Sequence, residues 1–293
     1  MTPRNQPTAR LGVFDSGLGG LTVVRALIHR PVHGRIVYFG DTARVPYGNK
    51  SPATVTRLTL EAMRFLQHQG VRALVVACNT ASAVAMDALV REASVPVLGV
   101  VEAGARSAAK ATRTGRVGVI GTRATVGSRC YERALERLRP GLAVSAAACP
   151  LFVPLVEEGW IDGDVTRRIA EEYLGPVRDA GVDTLVLGCT HYPLLRAVIQ
   201  DVIGKDVTLI DSGEAVAEEV ESLLRTLGVG PSPESAAIRH RFYVSDQIER
   251  FEVEMRRFLG ETVAADVRTV DQTDVPWYDR TAGDPVPEER IQS

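Results

Sequence analysis

Gly70-Val-Arg-Ala-Leu-Val-Val-Ala-Cys78-Asn-Thr80 is an apolar run that stops at a cysteine followed by a polar pair, and Gly181-Val-Asp-Thr-Leu-Val-Leu-Gly-Cys189-Thr-His191 repeats the plan later in the chain. A short continuous apolar stretch bounded in this way suits a strand buried on both faces, as in a parallel sheet. Upstream of each lies a second matched pair, Arg10-Leu-Gly-Val-Phe-Asp-Ser16 and Arg116-Val-Gly-Val-Ile-Gly-Thr122. Each half therefore ends one strand in a hydroxyl residue and a later strand in a cysteine. Unrelated α/β units also share Gly-Val-x-x-Leu-Val patterns, but here the copies agree in register and both deliver polar groups just past a strand. In open α/β sheets that carboxyl edge is where ligands bind.

Working outward, apolar runs alternate with amphipathic stretches along the chain. Strands are expected at 11–14, 35–39, 74–77, 97–100, 117–120, 185–188, 208–210 and 241–244. Helices are expected at 53–69, 81–92, 129–138, 165–180 and 215–227. The class this implies is α/β, built as two pseudo-symmetric parallel-sheet α/β domains with the active site in the cleft between them. Residues 1–100 with 211–270 are expected to form the first domain, 101–210 the second, and 271–293 a disordered tail.

Composition narrows the function classes. The chain has 293 residues, 45% of them hydrophobic, a formal net charge of -2 and a pI near 6.3. That is ample for a core and gives no electrostatic footprint for nucleic acid or an anionic membrane. No apolar run reaches the roughly 18 residues of a membrane span, and the polar stretch 1–10 does not resemble a secretory signal. The expected location is the cytoplasm, where thiols stay reduced, so the four cysteines are read for reactivity or core filling rather than for disulfides.

Cys78 and Cys189 stand where a strand meets a helix start, a setting that lowers a thiol pKa from about 8.5. The pairs Asn79-Thr80 and Thr190-His191 suit capping and anion binding. Cys130 and Cys149 lack this context and are expected in the core. No Cys-x-x-Cys occurs, and Cys189 with His191 is too few ligands for zinc. Asp15-Ser16-Gly17-Leu-Gly19-Gly20 lacks the third glycine of a dinucleotide fingerprint, which would fall at Thr22, although Asp41 stands where a ribose-binding acid would. The turn is read as presenting Asp15 and Ser16 at the sheet edge, where a carboxylate can orient or deprotonate a thiol. Pro46-Tyr47-Gly48 lies in a donor-rich loop suited to carboxylates. His191 is a candidate acid/base partner for Cys189. Lysine occurs only at 50, 110 and 205, none in an apolar setting, which disfavours a Schiff base with pyridoxal phosphate.

Two thiols delivered by two pseudo-symmetric halves provide what racemisation needs, a base on one face of a carbon and an acid on the other. The motifs together resemble those of glutamate racemases, in the cofactor-independent aspartate/glutamate racemase superfamily: Phe14-Asp-Ser-Gly-Leu-Gly-Gly20, Pro46-Tyr-Gly48, Ala77-Cys-Asn-Thr80, Gly118-Val-Ile-Gly-Thr122, Phe152-Val-Pro-Leu-Val-Glu157, Gly188-Cys-Thr-His-Tyr-Pro193 and Arg241-Phe-Tyr-Val-Ser245. The resemblance runs from about 11 to 259. It implies that Cys78 takes the proton from D-glutamate and Cys189 from L-glutamate, assisted by Asp15 and His191 respectively, with Glu157 an auxiliary. It implies that Ser16, Pro46, Tyr47, Gly48, Asn79, Thr80, Thr122 and Thr190 hold the substrate. No cofactor or metal, a homodimer, and a supply of D-glutamate to peptidoglycan are implied as well. Aspartate racemases are the nearest alternative, but they usually carry Glu where His191 stands and lack the Pro-Tyr-Gly loop. A non-catalytic two-domain binding protein and a dinucleotide-dependent oxidoreductase are the alternatives from other classes.

Overall fold

The central strands of this chain are almost entirely buried. Leu11, Val13, Val75, Leu185 and Leu187 are each at most 1% exposed, and each such side chain contributes about 1.5–3 kcal/mol on leaving water. The computed structural model describes residues 10–30, 34–227, 239–260, 263–273 and 276–279. In chain order the elements are β1 (Arg10–Asp15), α1 (Leu21–Ile28), β2 (Arg35–Gly40), α2 (Pro52–His68), β3 (Ala73–Val76), α3 (Asn79–Val84), α4 (Met86–Glu92), β4 (Val97–Gly99), α5 (Val100–Ala111), β5 (Arg116–Gly121), α6 (Arg123–Gly127), α7 (Cys130–Leu138), β6 (Ala143–Ala148), α8 (Phe152–Glu157), α9 (Gly163–Asp179), β7 (Thr184–Gly188), α10 (Arg196–Ile203), β8 (Thr208–Asp211), α11 (Ser212–Thr226), β9 (His240–Val244), α12 (Ile248–Leu259) and β10 (Ala265–Thr269).

These strands form two sheets, both parallel throughout. One has the order β10-β9-β2-β1-β3-β4 and the other β6-β5-β7-β8. The run β2-β1-β3-β4 thus matches β6-β5-β7-β8 strand for strand. The register matches too. Leu11 pairs with Ala73 and Phe14 with Val76 in the first sheet, as Val117 pairs with Thr184 and Ile120 with Leu187 in the second. Even the close contacts are copied. A methyl at Gly12 would meet Leu74 and Val71, and one at Gly118 would meet the repeat-equivalent Leu185 and Val182. The repeat legible in the sequence is therefore a repeat in three dimensions, and helices cover the sheets as an α/β class requires.

Local chemistry places the helix starts. Ser51 Oγ accepts the Thr54 N–H and Pro52 fills the first helical position of α2. Asp211 caps α11 by accepting from the Gly213 and Glu214 N–H groups. Through α11, which packs against α1 and α5, the chain returns from the second sheet to the first.

Two strands, β6 and β10, are absent from the sequence expectation. Both are edge strands, β6 is Ala-Val-Ser-Ala-Ala-Ala, and neither has a fully buried residue. Exposure removes the need for an apolar run, and so removes the signal. The stretch 81–92, expected as one helix, is two, divided at Ala85 where φ reaches -106°. Of the expected tail, residues 274–275 and 280–293 lie outside the described residues. Trp277 is 2% exposed, stacked on Phe39 at 5.3 Å and with Arg44 over its ring.

Gly118→Ala tests the shared register. Its methyl would lie 2.7 Å from Val177 Cγ1 and 2.8 Å from Leu185 Cδ1, and overpacking of this kind costs about 1–3 kcal/mol. The urea midpoint should fall accordingly, whereas Gly127→Ala, whose methyl meets nothing within 4 Å, should leave it unchanged or higher.

Candidate active site

Because both sheets are parallel, the loops after β1, β3, β5 and β7 all leave from carboxyl edges, and those edges face one another. Between them is a cavity of 310 Å³. The first sheet contributes Ser16, Cys78, Asn79 and Thr80, the second contributes Thr122, Cys189, Thr190 and His191, and the loop after β2 adds Pro46, Tyr47 and Gly48. Glu157, at the end of α8, also lines it. All the candidates read from the sequence thus meet here except Asp15, which is fully buried and does not line the cavity.

The two thiols have matched positions and unmatched surroundings. Cys78 is 5% exposed and its Sγ–H donates to Ser16 Oγ at 3.3 Å. Burial pushes the Cys78 thiol up to about 12, and the neighbouring Asp15 charge adds to this against the hydrogen bonding with Ser16 and the Ala81 N–H. Asp15 itself is raised by its burial, in spite of the attraction of His191 and the Gly17 N–H it accepts at 2.9 Å.

On the other side Cys189, 6% exposed, has its Sγ 3.8 Å from His191 Nδ1, and His191 Nε2 lies 3.1 Å from Glu157 Oε1. Burial works against a charged imidazole, but the hydrogen bonds with Cys189 and Glu157 outweigh it and lift His191 to about 10. Glu157 is correspondingly held below the usual carboxylate range: burial opposes, while His191, Arg250 and Arg257 lower it. At neutral pH the arrangement is a thiol at Cys78 and an imidazolium beside the Cys189 side chain.

The glycine-rich turn after β1 owes its composition to close approach. A methyl at Gly19 would stand 2.2 Å from Thr190 Oγ1 and 2.5 Å from His191 Nδ1, and one at Gly20 would stand 2.4 Å from Asp15 Cβ. Neither glycine has a positive φ. The turn thus brings the first half against the loop that carries the second thiol, and Thr22 Oγ1 fastens the contact by donating to the Thr190 carbonyl at 2.9 Å.

Asp41, placed where a ribose-binding acid would stand, is fully buried and already engaged. It accepts from Tyr47 Oη at 2.5 Å, Arg44 Nε at 2.8 Å, Ser245 Oγ at 3.1 Å and Gln272 Nε2 at 3.2 Å. Its role is to fix the Pro46-Tyr47-Gly48 loop, whose Val45–Pro46 peptide is cis. Cys130 and Cys149 are buried and do not line the cavity.

Some of the lining is not expected from the sequence. Asn49, Arg123, Pro150, Val153 and Pro154 also face the cavity. Arg123, next to a strand-end hydroxyl, had a legible signal in its position. The prolines and Val153 form an apolar wall, and such residues look like ordinary core until the cavity is seen. None of Lys50, Lys110 and Lys205 lines the cavity. Among the described residues no helix is long and apolar enough to cross a membrane.

Comparison with known proteins gives a consistent picture. The family model for Asp/Glu/hydantoin racemase matches residues 22–220. A glutamate racemase of Geobacter metallireducens is 53% identical over 87% of this chain and 94% of that protein, and one of Syntrophus aciditrophicus is 51% identical over 89% of this chain and 96% of that protein. The crystal structure of the Francisella tularensis glutamate racemase in complex with D-glutamate superposes with a TM-score of 0.84 at 36% identity, over 91% of this chain and 98% of that one. The chain therefore belongs to the Asp/Glu/hydantoin racemase family, among its glutamate racemases.

Proposed function

We propose that this protein interconverts L- and D-glutamate by proton transfer at the α-carbon between Cys189 on one face and Cys78 on the other. The observation that carries the reading is the convergence of two repeat-equivalent cysteines, each just past a buried strand, on one cavity of 310 Å³. Inversion needs one thiolate and one thiol at the moment of reaction, and the two thiols differ in surroundings: burial and Asp15 raise Cys78, while His191 stands beside Cys189. With His191 protonated, Cys189 is the base for L-glutamate, and Cys78, held as a thiol, delivers the proton to the opposite face. The reverse reaction uses the same groups with their protons exchanged.

The Asp15 carboxyl beneath the Cys78 side and the His191 imidazole beside Cys189 are the partners for that exchange. Asp15 acts through Cys78 and does not touch substrate. Thr80, Thr122 and Thr190 hydroxyls, the Asn79 amide and the backbone at Gly48 supply donors for the two carboxylates, and Ser16 completes the wall by Cys78. Burial of the site strengthens each of these interactions while the carbanionic charge develops. As part of the same proposal, the enzyme works in the cytoplasm as a homodimer and supplies D-glutamate for peptidoglycan.

The test is incubation with L- or D-glutamate in D₂O without added cofactor, following α-deuteration and optical rotation. Wild type should yield deuterated product of inverted configuration. Cys78→Ala and Cys189→Ala should each lose inversion by a factor of about 10²–10⁴. Cys78→Ala should retain exchange into L-glutamate alone, and Cys189→Ala into D-glutamate alone. A folded, reduced wild type that exchanges neither enantiomer would sink the proposal, and exchange into aspartate in place of glutamate would change the substrate and keep the mechanism.

The pH dependence gives a second check. Loss of the His191 proton near pH 10 removes the positive charge beside Cys189, so kcat/KM should fall on the alkaline side. Glu157 helps hold that proton, so Glu157→Gln should move the alkaline limb to lower pH. The ammonium of the substrate titrates identically with both proteins and cancels from the comparison. Superimposable profiles would exclude this role for Glu157.

A further inference from the structure

Asn79 follows Cys78 directly and lines the cavity, and its amide belongs to a buried chain of hydrogen bonds that crosses between the two halves of the molecule. Tyr131 Oη, on α7, donates to Asn79 Oδ1 at 2.7 Å. Asn79 Nδ2 donates to Ser212 Oγ at 3.4 Å, and Ser212 Oγ lies 3.3 Å from the Leu187 carbonyl oxygen. Asn79, Tyr131 and Ser212 are 2%, 1% and 3% exposed, so water does not substitute for these partners.

The chain centres on the Asn79 oxygen. Tyr131 Oη donates to Oδ1, and Ser212 Oγ, 3.5 Å from the same oxygen, can donate to it or to the Leu187 carbonyl. Two hydroxyls thus hold Oδ1 on the protein side of the amide. The remaining N–H of Asn79 is left for the cavity. Room for any other arrangement is small, because a methyl at Gly104 on α5 would stand 3.2 Å from Ser212 Cβ and 3.4 Å from Tyr131 Oη.

We infer that Tyr131 and Ser212 are positioning residues, which lock the Asn79 amide so that it offers an N–H, and never its oxygen, to a carboxylate of the substrate. The inference rests on the glutamate reading of the site and deepens it. Asn79 is thereby a carboxylate donor and takes no part in holding the ammonium. The same chain ties the residue after Cys78 to β7, two residues before Cys189, so the amide and the two thiol-bearing strands are held as one unit.

Tyr131→Phe and Ser212→Ala free the amide to rotate. Each should raise KM for both enantiomers on the order of tenfold, the usual effect of losing an oriented hydrogen bond to a charged group, with a smaller change in kcat. Asn79→Leu supplies the control. In that background Tyr131→Phe should add no further loss, whereas a purely structural role would add its full effect in either background. Calorimetric binding of D-glutamate to the unreacting Cys78→Ala/Cys189→Ala protein reads the same coupling without turnover. An inactive wild type whose unreacting form still shows the coupling would count against the racemase reading alone. Wild-type KM and affinity in a folded Tyr131→Phe, an undiminished effect in the Asn79→Leu background, or no binding of D-glutamate at all would each overturn the inference. Should Tyr131→Phe not fold, Ser212→Ala carries the same comparison.

Discussion

Hydrogen bonding between neighbouring strands is parallel in every pair of both sheets, and the rest of the molecule depends on that constraint. A parallel strand must be followed by a crossover, so each sheet sends its βα loops out of one edge and receives its returning chain at the other. Setting two such edges face to face makes a cleft walled by βα loops and helix starts, to which α8 adds the apolar Val153 and Pro154. The core beneath each edge is close-packed, as the contacts at Gly12 and Gly118 illustrate, and gives the loops a stiff base.

Geometry is repeated across the cleft while charge is not. Both thiols end equivalent strands, yet burial and a carboxyl raise Cys78, and an imidazole raised by its hydrogen bonds to Cys189 and Glu157 stands beside Cys189. Similar positions for the two thiols are thus combined with different electrostatic surroundings. The repeat accounts for the first feature. Divergence at a few positions near the strand ends, Asp15 against Gly121 and Asn79-Thr80 against Thr190-His191, accounts for the second.

Distant parts of the chain converge to hold individual site residues. Tyr47 is fixed by Asp41, and Asp41 in turn by Ser245 and Gln272. Arg257, on α12, donates to the carbonyls of Val156 and Glu157 and so anchors the end of α8 that carries the Glu157 carboxylate to His191. Gly19 lets the first turn lie directly against Thr190 and His191. Ser245, Arg257 and Gln272 come from the segment after the second sheet, so the chain's return to the first sheet supplies part of this support.

Much of this was legible in the residues themselves. Strands that are apolar on both faces can only be interior, so the α/β class, the repeat, and the two cysteines with their polar neighbours could be read directly. The edge strands β6 and β10 could not, because half-exposed strands need no apolar run, and the glycines at 19 and 20 were legible as a turn without revealing what they make room for. Asp41 illustrates the limit well: its place after a strand suggested a ligand, but only its neighbours from residues 44, 47, 245 and 272 show it spent inside the protein. Sequence by itself determined which chemical groups stand at strand ends, since that follows from local periodicity and burial. Tertiary structure alone decided their protonation and orientation, because pKa values and amide directions depend on partners brought together from far along the chain.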